Sequence, residues 1–198
     1  MANVVVFGGT GFVGSFICKE LAKAGYDVVS ISKSGQNKYL FENDCEHIRF
    51  VKADVFRIED WQKELTDCFA VVNCVGILFQ NKQENITYKR LIFETTQLIA
   101  NAAEAAGVKI FIHVSAIKPP AFMLQEYHQY KLEAEKLLQS TSFNLLIIRP
   151  RVIVSAHKPF FLFLYKMQEL VHFPYKQFEP IEGVAKQVVD FLQTKKQE

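Results

Sequence analysis

One short segment constrains this chain more than any other: Phe7-Gly8-Gly9-Thr10-Gly11-Phe12-Val13-Gly14, seven residues from the amino end. A β-branched run, Val4 to Phe7, precedes it, and an amphipathic stretch, Phe12 to Ala24, follows. The glycines satisfy Gly-x-Gly-x-x-Gly through Gly9, Gly11 and Gly14, and Gly-x-x-Gly-x-x-Gly through Gly8, Gly11 and Gly14. Glycine is needed there because the turn is tight, the backbone must approach a pyrophosphate closely, and the helix must pack hard on the strand. The helix amino end then offers free N–H groups and a positive dipole end to phosphate. A glycine turn without ligand is the plain alternative. The strand–loop–helix context favours a dinucleotide cradle built from Gly8, Gly9, Thr10, Gly11, Phe12, Val13 and Gly14.

The same rhythm continues beyond the loop. Strands are expected at Asp27–Ile31, His47–Val51, Ala70–Cys74, Ile110–Val114 and Asn144–Ile148, and helices at Thr87–Ala106 and Gln125–Gln139. Gly25 and Gly107 stand where helices should stop. Runs apolar on both faces and separated by helices indicate a parallel sheet covered on both sides. Right-handed crossovers then point to an α/β, doubly wound sheet of order 3-2-1-4-5-6. Residues 1–198 are expected to form a single domain, with 155–198 a reduced carboxy-terminal cap ending in a helix from Ile181 to Gln193.

Composition excludes more than it selects. A formal charge of +2 with no basic stripe argues against nucleic acid as partner. The four cysteines, Cys18, Cys45, Cys68 and Cys74, form no Cys-x-x-Cys pair, and no histidine stands at ligand spacing beside them, so no metal is expected. Reduced thiols and the lack of a secretory or membrane-spanning signal suit a cytoplasmic protein.

Cofactor choice is read at the end of the second expected strand. An acid about 20 residues past the glycines would accept from the ribose 2′-hydroxyl and select NAD. Here the segment is Ser30-Ile31-Ser32-Lys33-Ser34, with no acid. Ser32 and Lys33, with Ser34, suit a 2′-phosphate through hydrogen bonds and one positive charge. NADP(H) is therefore favoured over NAD(H), against the plainer reading of a solvated strand end.

With the glycine loop, three further stretches resemble the atypical short-chain dehydrogenase/reductases: Ala53-Asp54-Val55, Val72 to Leu78, and Val108 to Ala116. The similarity is greatest to the branch of the NADPH-binding accessory subunit of respiratory complex I and its bacterial relatives, and looser to the reductase-like protein of coenzyme Q assembly. It covers residues 3 to 154. The resemblance implies that Asp54 and Val55 lie beside adenine, and that Asn73, Cys74, Val75 and Gly76 pass under the ribose and pyrophosphate. Asp54 as a mere turn residue and Gly76 as a mere loop glycine are the competing readings.

The resemblance also implies a catalytic set of tyrosine, lysine four residues later, and serine. Tyr127 and Lys131 supply that i, i+4 spacing on one helical face, and Ser115 closes the preceding strand. Tyr127 would be the acid or base, Lys131 would lower its pKa and hold the nicotinamide ribose, and Ser115 would polarise the substrate oxygen. Incidental residues on a helix surface are the alternative. Ala116 stands where many relatives carry a second hydroxyl, and Ser155 replaces an expected glycine. Two functions follow: an oxidoreductase of a small carbonyl or quinone-like substrate, or a non-catalytic nucleotide-bound module of an assembly.

Aromatic residues crowd the segment from Pro159 to Phe173. Phe160, Phe163, Leu164, Met167 and Val171 share one helical face, while Phe161, Leu162 and Tyr165 fall outside it. A stripe against the core accounts for the first set. The surplus suits a lipophilic pocket, a homodimer or other protein contact, or a peripheral membrane contact.

Overall fold

Valine and isoleucine dominate six short runs, and β-branched side chains pack best on a pleated surface buried on both faces. In the computed structural model, which describes residues 2–36, 38, 39, 46–118, 124–154 and 178–197, those runs are strands. They are β1 (Asn3–Phe7), β2 (Asp27–Ser32), β3 (Ile48–Lys52), β4 (Ala70–Asn73), β5 (Ile110–Val114) and β6 (Asn144–Ile148). All are parallel, in the order β3-β2-β1-β4-β5-β6. The fold is the expected doubly wound, Rossmann-like sheet.

Alternation along the strands assigns the two faces. Val4, Val6, Val72 and Ile112 point to one side, where Ile17 and Leu21 of α1 (Phe12–Lys23) and Val184, Val188 and Leu192 of α4 (Ile181–Gln197) cover them. Val5, Phe7, Val71 and Phe111 point to the other, under α2 (Thr95–Ala105) and α3 (Gln125–Gln139). Burying each such side chain contributes about 1.5–3 kcal/mol. The helix α4, read in the sequence as part of a cap, thus packs on the sheet beside α1.

Three local features differ from the sequence reading. Between β3 and β4 the chain makes two 3₁₀ turns, Ile58–Asp60 and Gln62–Leu65. They bring Trp61 into the core, where its indole N–H donates to the Val55 carbonyl at 3.0 Å and its ring meets Phe7 edge-on at 4.8 Å. The helix expected from Thr87 begins as a π-helical stretch, Lys89–Glu94. The hydroxyl of Thr95 donates to the Arg90 carbonyl at 3.0 Å, five residues back, and that of Thr96 to the Ile92 carbonyl at 2.6 Å. Such side-chain bonds compete with the regular helical ladder where the turn is widened. Finally, β7 (Val152–Val154) pairs in parallel with β8 (Phe178–Pro180), joining the end of β6 to the start of α4. The aromatic segment 159–173, Ser155 and Cys45 lie outside the described residues.

Because strand order reverses between β1 and β4, the chain runs from β1 to α1 on one face and from β4 to α2 on the other, which makes their carboxyl edge the switch point where such sheets form a crevice. That is where doubly wound sheets bind ligands.

Candidate functional site

The glycine loop crosses this crevice. Gly8 leaves β1 with φ +76 and donates its N–H to the Ile31 carbonyl at 2.8 Å. A Cβ at Gly8 would stand 3.1 Å from the backbone of Cys74 and Val75, so the loops after β1 and β4 touch. Gly14, in the first turn of α1, has no room either. A Cβ there would strike the Gly8 carbonyl oxygen and lie 2.9 Å from the Gly9 Cα. Gly11 is different. Its Cβ position is 3.1 Å from the Gly8 oxygen and otherwise meets nothing within 4 Å. Protein packing explains the glycine at 14, while at 11 the space a side chain would take faces the open crevice. The first turn of α1 has no side-chain cap and no acidic residue, leaving its amino-end dipole unopposed there.

At the ribose end, the loop after β2 is tied to the glycine loop by a hydrogen bond between the Thr10 and Ser34 hydroxyls at 3.2 Å. Ser32 Oγ accepts the Gly35 N–H at 3.1 Å, and Lys33 is exposed. Lys52, exposed at the end of β3, is the register partner of Ser32 and lies against Gly35. The sequence reading missed it, since only strand pairing brings it beside Ser32. Asp54 is half-buried and accepts the Phe56 N–H on Oδ1 at 3.0 Å, the geometry of a turn residue. Its Oδ2 has no hydrogen-bond donor among the described residues, and Val55 follows at the same edge.

Asn73 shapes the loop after β4. Fully buried, it donates from Nδ2 to the Thr96 hydroxyl and accepts the Val75 N–H, both at 3.0 Å. Its side chain is therefore spent on holding Cys74, Val75 and Gly76 in position. Gly76 is exposed, and its Cβ position lies 3.5 Å from Lys131 Nζ. The helix α3 thus meets the β4 loop through the residue expected to hold the nicotinamide ribose.

Around Lys131 lie Cys74, Glu135 and Tyr127, and Ser115 follows the Val114 carbonyl that the lysine binds. Lys131 is buried and donates to the Val114 carbonyl at 2.7 Å. Burial pulls its pKa down to about 8, against the opposing pull of Cys74 and Glu135. Burial also pushes the Cys74 thiol up to about 12, which Lys131 opposes. The Ser115 hydroxyl is buried without a hydrogen-bond partner among the described residues. Tyr127 packs edge-on against Tyr88, ring centroids 5.6 Å apart, and Lys131 Nζ lies 5.9 Å from the Tyr127 ring centre. The expected depression of the tyrosine pKa is not found: burial, with Tyr88 adding to it, pushes the phenol up to about 12. Removal of the phenolate from water outweighs the ammonium, which lies 5.9 Å from the ring centre.

His113 is a further member that sequence reasoning did not single out. It is the register partner of Asn73, fully buried, and neither ring nitrogen has a hydrogen-bond partner among the described residues. Burial and the Lys131 charge lower its pKa well below 6.5. The folded protein therefore holds this imidazole neutral, while the unfolded chain protonates it below about pH 6.5. Stability from this group is present above that pH and is lost as pH falls, at up to about 1.4 kcal/mol per pH unit. Urea unfolding between pH 7 and 5 should show this slope in the wild type and a shallower one in His113→Gln. Parallel slopes would exclude the assignment.

The comparisons place these features among known proteins. The family described as NAD(P)H-binding matches residues 8–169. An uncharacterised chloroplastic protein of Arabidopsis thaliana is 34% identical over 161 residues, covering 79% of this chain and 52% of that protein. Subunit 9 of the 1 alpha subcomplex of mitochondrial NADH dehydrogenase [ubiquinone] from Mus musculus is 25% identical, covering 73% and 39%. The chloroplastic divinyl chlorophyllide a 8-vinyl-reductase of Arabidopsis thaliana is 28% identical, covering 81% and 44%. The chain spans about half the length of these relatives, or less. Among solved structures, the UDP-glucose-4-epimerase of Stenotrophomonas maltophila with bound NAD superposes with TM-score 0.74 at 20% identity, over 98% of this chain and 74% of that one. The oxidoreductase ylbE of Lactococcus lactis gives 0.71 at 20%, over 97% and 85%. These last two likenesses show the fold. Among the described residues, no helix is long and apolar enough to cross a membrane.

Proposed function

We propose, for a chain that belongs to the NAD(P)H-binding family, that it is an NADP(H)-dependent oxidoreductase of a small carbonyl or quinone-like substrate. The observation that carries this reading is the 3.5 Å approach of Lys131 Nζ to the Cβ position of Gly76. It joins the helix bearing Tyr127 to the loop that, with the glycine loop, forms the dinucleotide crevice. The open space at Gly11 and the uncapped amino end of α1 fit a pyrophosphate. The buried, unpartnered Ser115 hydroxyl fits a group that bonds to a substrate oxygen.

When bound, the nicotinamide supplies a hydride to the substrate carbon. In that direction the Tyr127 phenol delivers its proton to the substrate oxygen. A phenol held at about 12 stays protonated at neutral pH, the form a proton donor needs. Ser115 polarises the same oxygen. Lys131, fixed on the Val114 carbonyl, presents its ammonium toward Gly76 and the ribose position. Asp54, Val55, Asn73, Cys74, Val75 and Gly76 line the adenosine and pyrophosphate side. Ser32, Lys33 and Lys52 receive the 2′-phosphate.

The second reading, a nucleotide-bound module of an assembly, draws on the likeness to the NADH dehydrogenase subunit and on the raised tyrosine. Thermal shift and absorbance separate the two. Under either reading, NADPH at about 100 times Kd should stabilise the protein by about 2.7 kcal/mol, and NADH at equal concentration by less. Removing Lys33 and Lys52 together should erase a few-fold of NADPH preference, modest because both are exposed. Equal response to the two nucleotides would reject the cofactor choice, and no response to either would reject nucleotide binding. Firm NADPH binding without oxidation by any carbonyl or quinone of a broad panel would select the module.

A further inference from the structure

Three of the four large hydrophobic side chains exposed among the described residues lie on two neighbouring loops at the carboxyl edge of the sheet. Phe79 is 82% exposed and Leu78 52%, both on the loop after β4, and Ile117 is 41% exposed on the loop after β5. Large apolar groups left in water at one end of a soluble fold mark a binding surface more often than chance placement does.

This rim is also built to hold its shape. The Tyr88 hydroxyl donates to the Leu78 carbonyl at 2.8 Å, and the Tyr88 N–H donates to Gln80 Oε1 at 3.0 Å. Gln80 Nε2 donates to Glu126 Oε2 at 2.9 Å, pinning the loop to the start of α3 next to Tyr127. Ile117 is held by its N–H on the Pro150 carbonyl at 3.3 Å, two residues beyond Ser115. The tyrosine that anchors the Leu78 loop is the same one whose ring supports Tyr127. The loop bearing Leu78 and Phe79 is therefore tied through Tyr88 to Tyr127, and Ile117 stands two residues beyond Ser115.

We infer that Leu78, Phe79 and Ile117 form the substrate-body subsite, and that the substrate is a carbonyl compound carrying an extended apolar group. This deepens the proposed function and rests on it. The polar end reaches Ser115 and Tyr127, while the hydrocarbon part lies across the rim. A small polar substrate would leave all three side chains in water after binding, so the rim selects against it by omission. Neighbouring Gln80 donates to Glu126, so the amide that faces this edge is already engaged.

The test titrates the NADP⁺-saturated full chain with aryl alkyl ketones from acetophenone to octanophenone, reading affinity by calorimetry. In the wild type, affinity should rise about threefold for each of the first few added methylenes, close to the factor for a buried methylene. Phe79→Ser and Leu78→Ser should each flatten that slope while NADPH affinity stays unchanged. Both side chains are exposed, so neither variant threatens folding. A flat slope in the wild type with nucleotide bound, or an unaltered slope in both variants, would overturn the subsite and leave the oxidoreductase reading standing. Failure to bind NADP⁺ would instead strike that reading itself. Sedimentation supplies the remaining outcome: a wild-type dimer that Phe79→Ser dissociates would make the rim a contact between copies and overturn the proposal.

Discussion

Tyr127→Phe should lower turnover roughly 10²- to 10⁴-fold, the usual loss on removing a positioned acid or base. NADPH affinity should barely change. The phenol oxygen has no hydrogen-bond partner among the described residues, and the ring contact with Tyr88 survives in phenylalanine. The variant therefore removes one proton donor and nothing that holds the loop after β4. Lys131→Ala should behave differently and impair both measures. It loses the bond to the Val114 carbonyl and the ammonium beside Gly76, so both the strand end and the ribose position are disturbed. Progress curves of NADPH oxidation, paired with nucleotide-induced thermal shifts, distinguish these patterns. Equal rates in wild type and Tyr127→Phe would remove the tyrosine from the mechanism.

Valine at Gly11 and at Gly14 should produce opposite failures. At Gly14 the new side chain meets the Gly8 carbonyl oxygen and the Gly9 Cα, which are backbone atoms with nowhere to go. Overpacking of this kind costs about 1–3 kcal/mol or more, so the nucleotide-free protein itself should melt several degrees lower. At Gly11 the backbone is extended, with φ −73 and ψ 170, and beyond the Gly8 oxygen the side chain enters open crevice. Folding should lose only about 1 kcal/mol, the scale of a changed helix cap. Nucleotide binding should disappear, because the valine fills the approach to the pyrophosphate. The stabilisation of about 2.7 kcal/mol expected with NADPH in excess should then be missing. A Gly11→Val protein that still responds to NADPH would show that this space is not where phosphate sits.

The different surroundings of two glycines of one motif show what a sequence pattern contains and what it lacks. The pattern requires small residues at both positions, and both satisfy it. Only the packed structure reveals that one glycine is hemmed in by protein backbone and the other borders open space.

The strand periodicity, the glycine loop and the stop glycines at Gly25 and Gly107 act over a few residues. For that reason the six strands, α1, α3 and the sheet order were legible in the sequence, as was the position of the crevice. Lys52 beside Ser32, and His113 opposite Asn73, depend on register between strands far apart in the chain, which no local pattern encodes. Two 3₁₀ turns, which no apolar periodicity in the stretch announces, place Trp61 on Phe7. Spacing alone put Tyr127 and Lys131 on one face of a helix. Whether the ammonium would turn to the phenol or to a carbonyl was decided by β5, whose Val114 oxygen lies 2.7 Å from the buried Lys131 Nζ. Local sequence thus determined which elements form and which residues reach the carboxyl edge. The long-range packing of α3 on the sheet decided their charges and partners, because burial and the nearest dipole, not chain spacing, set the energy of a buried ionisable group.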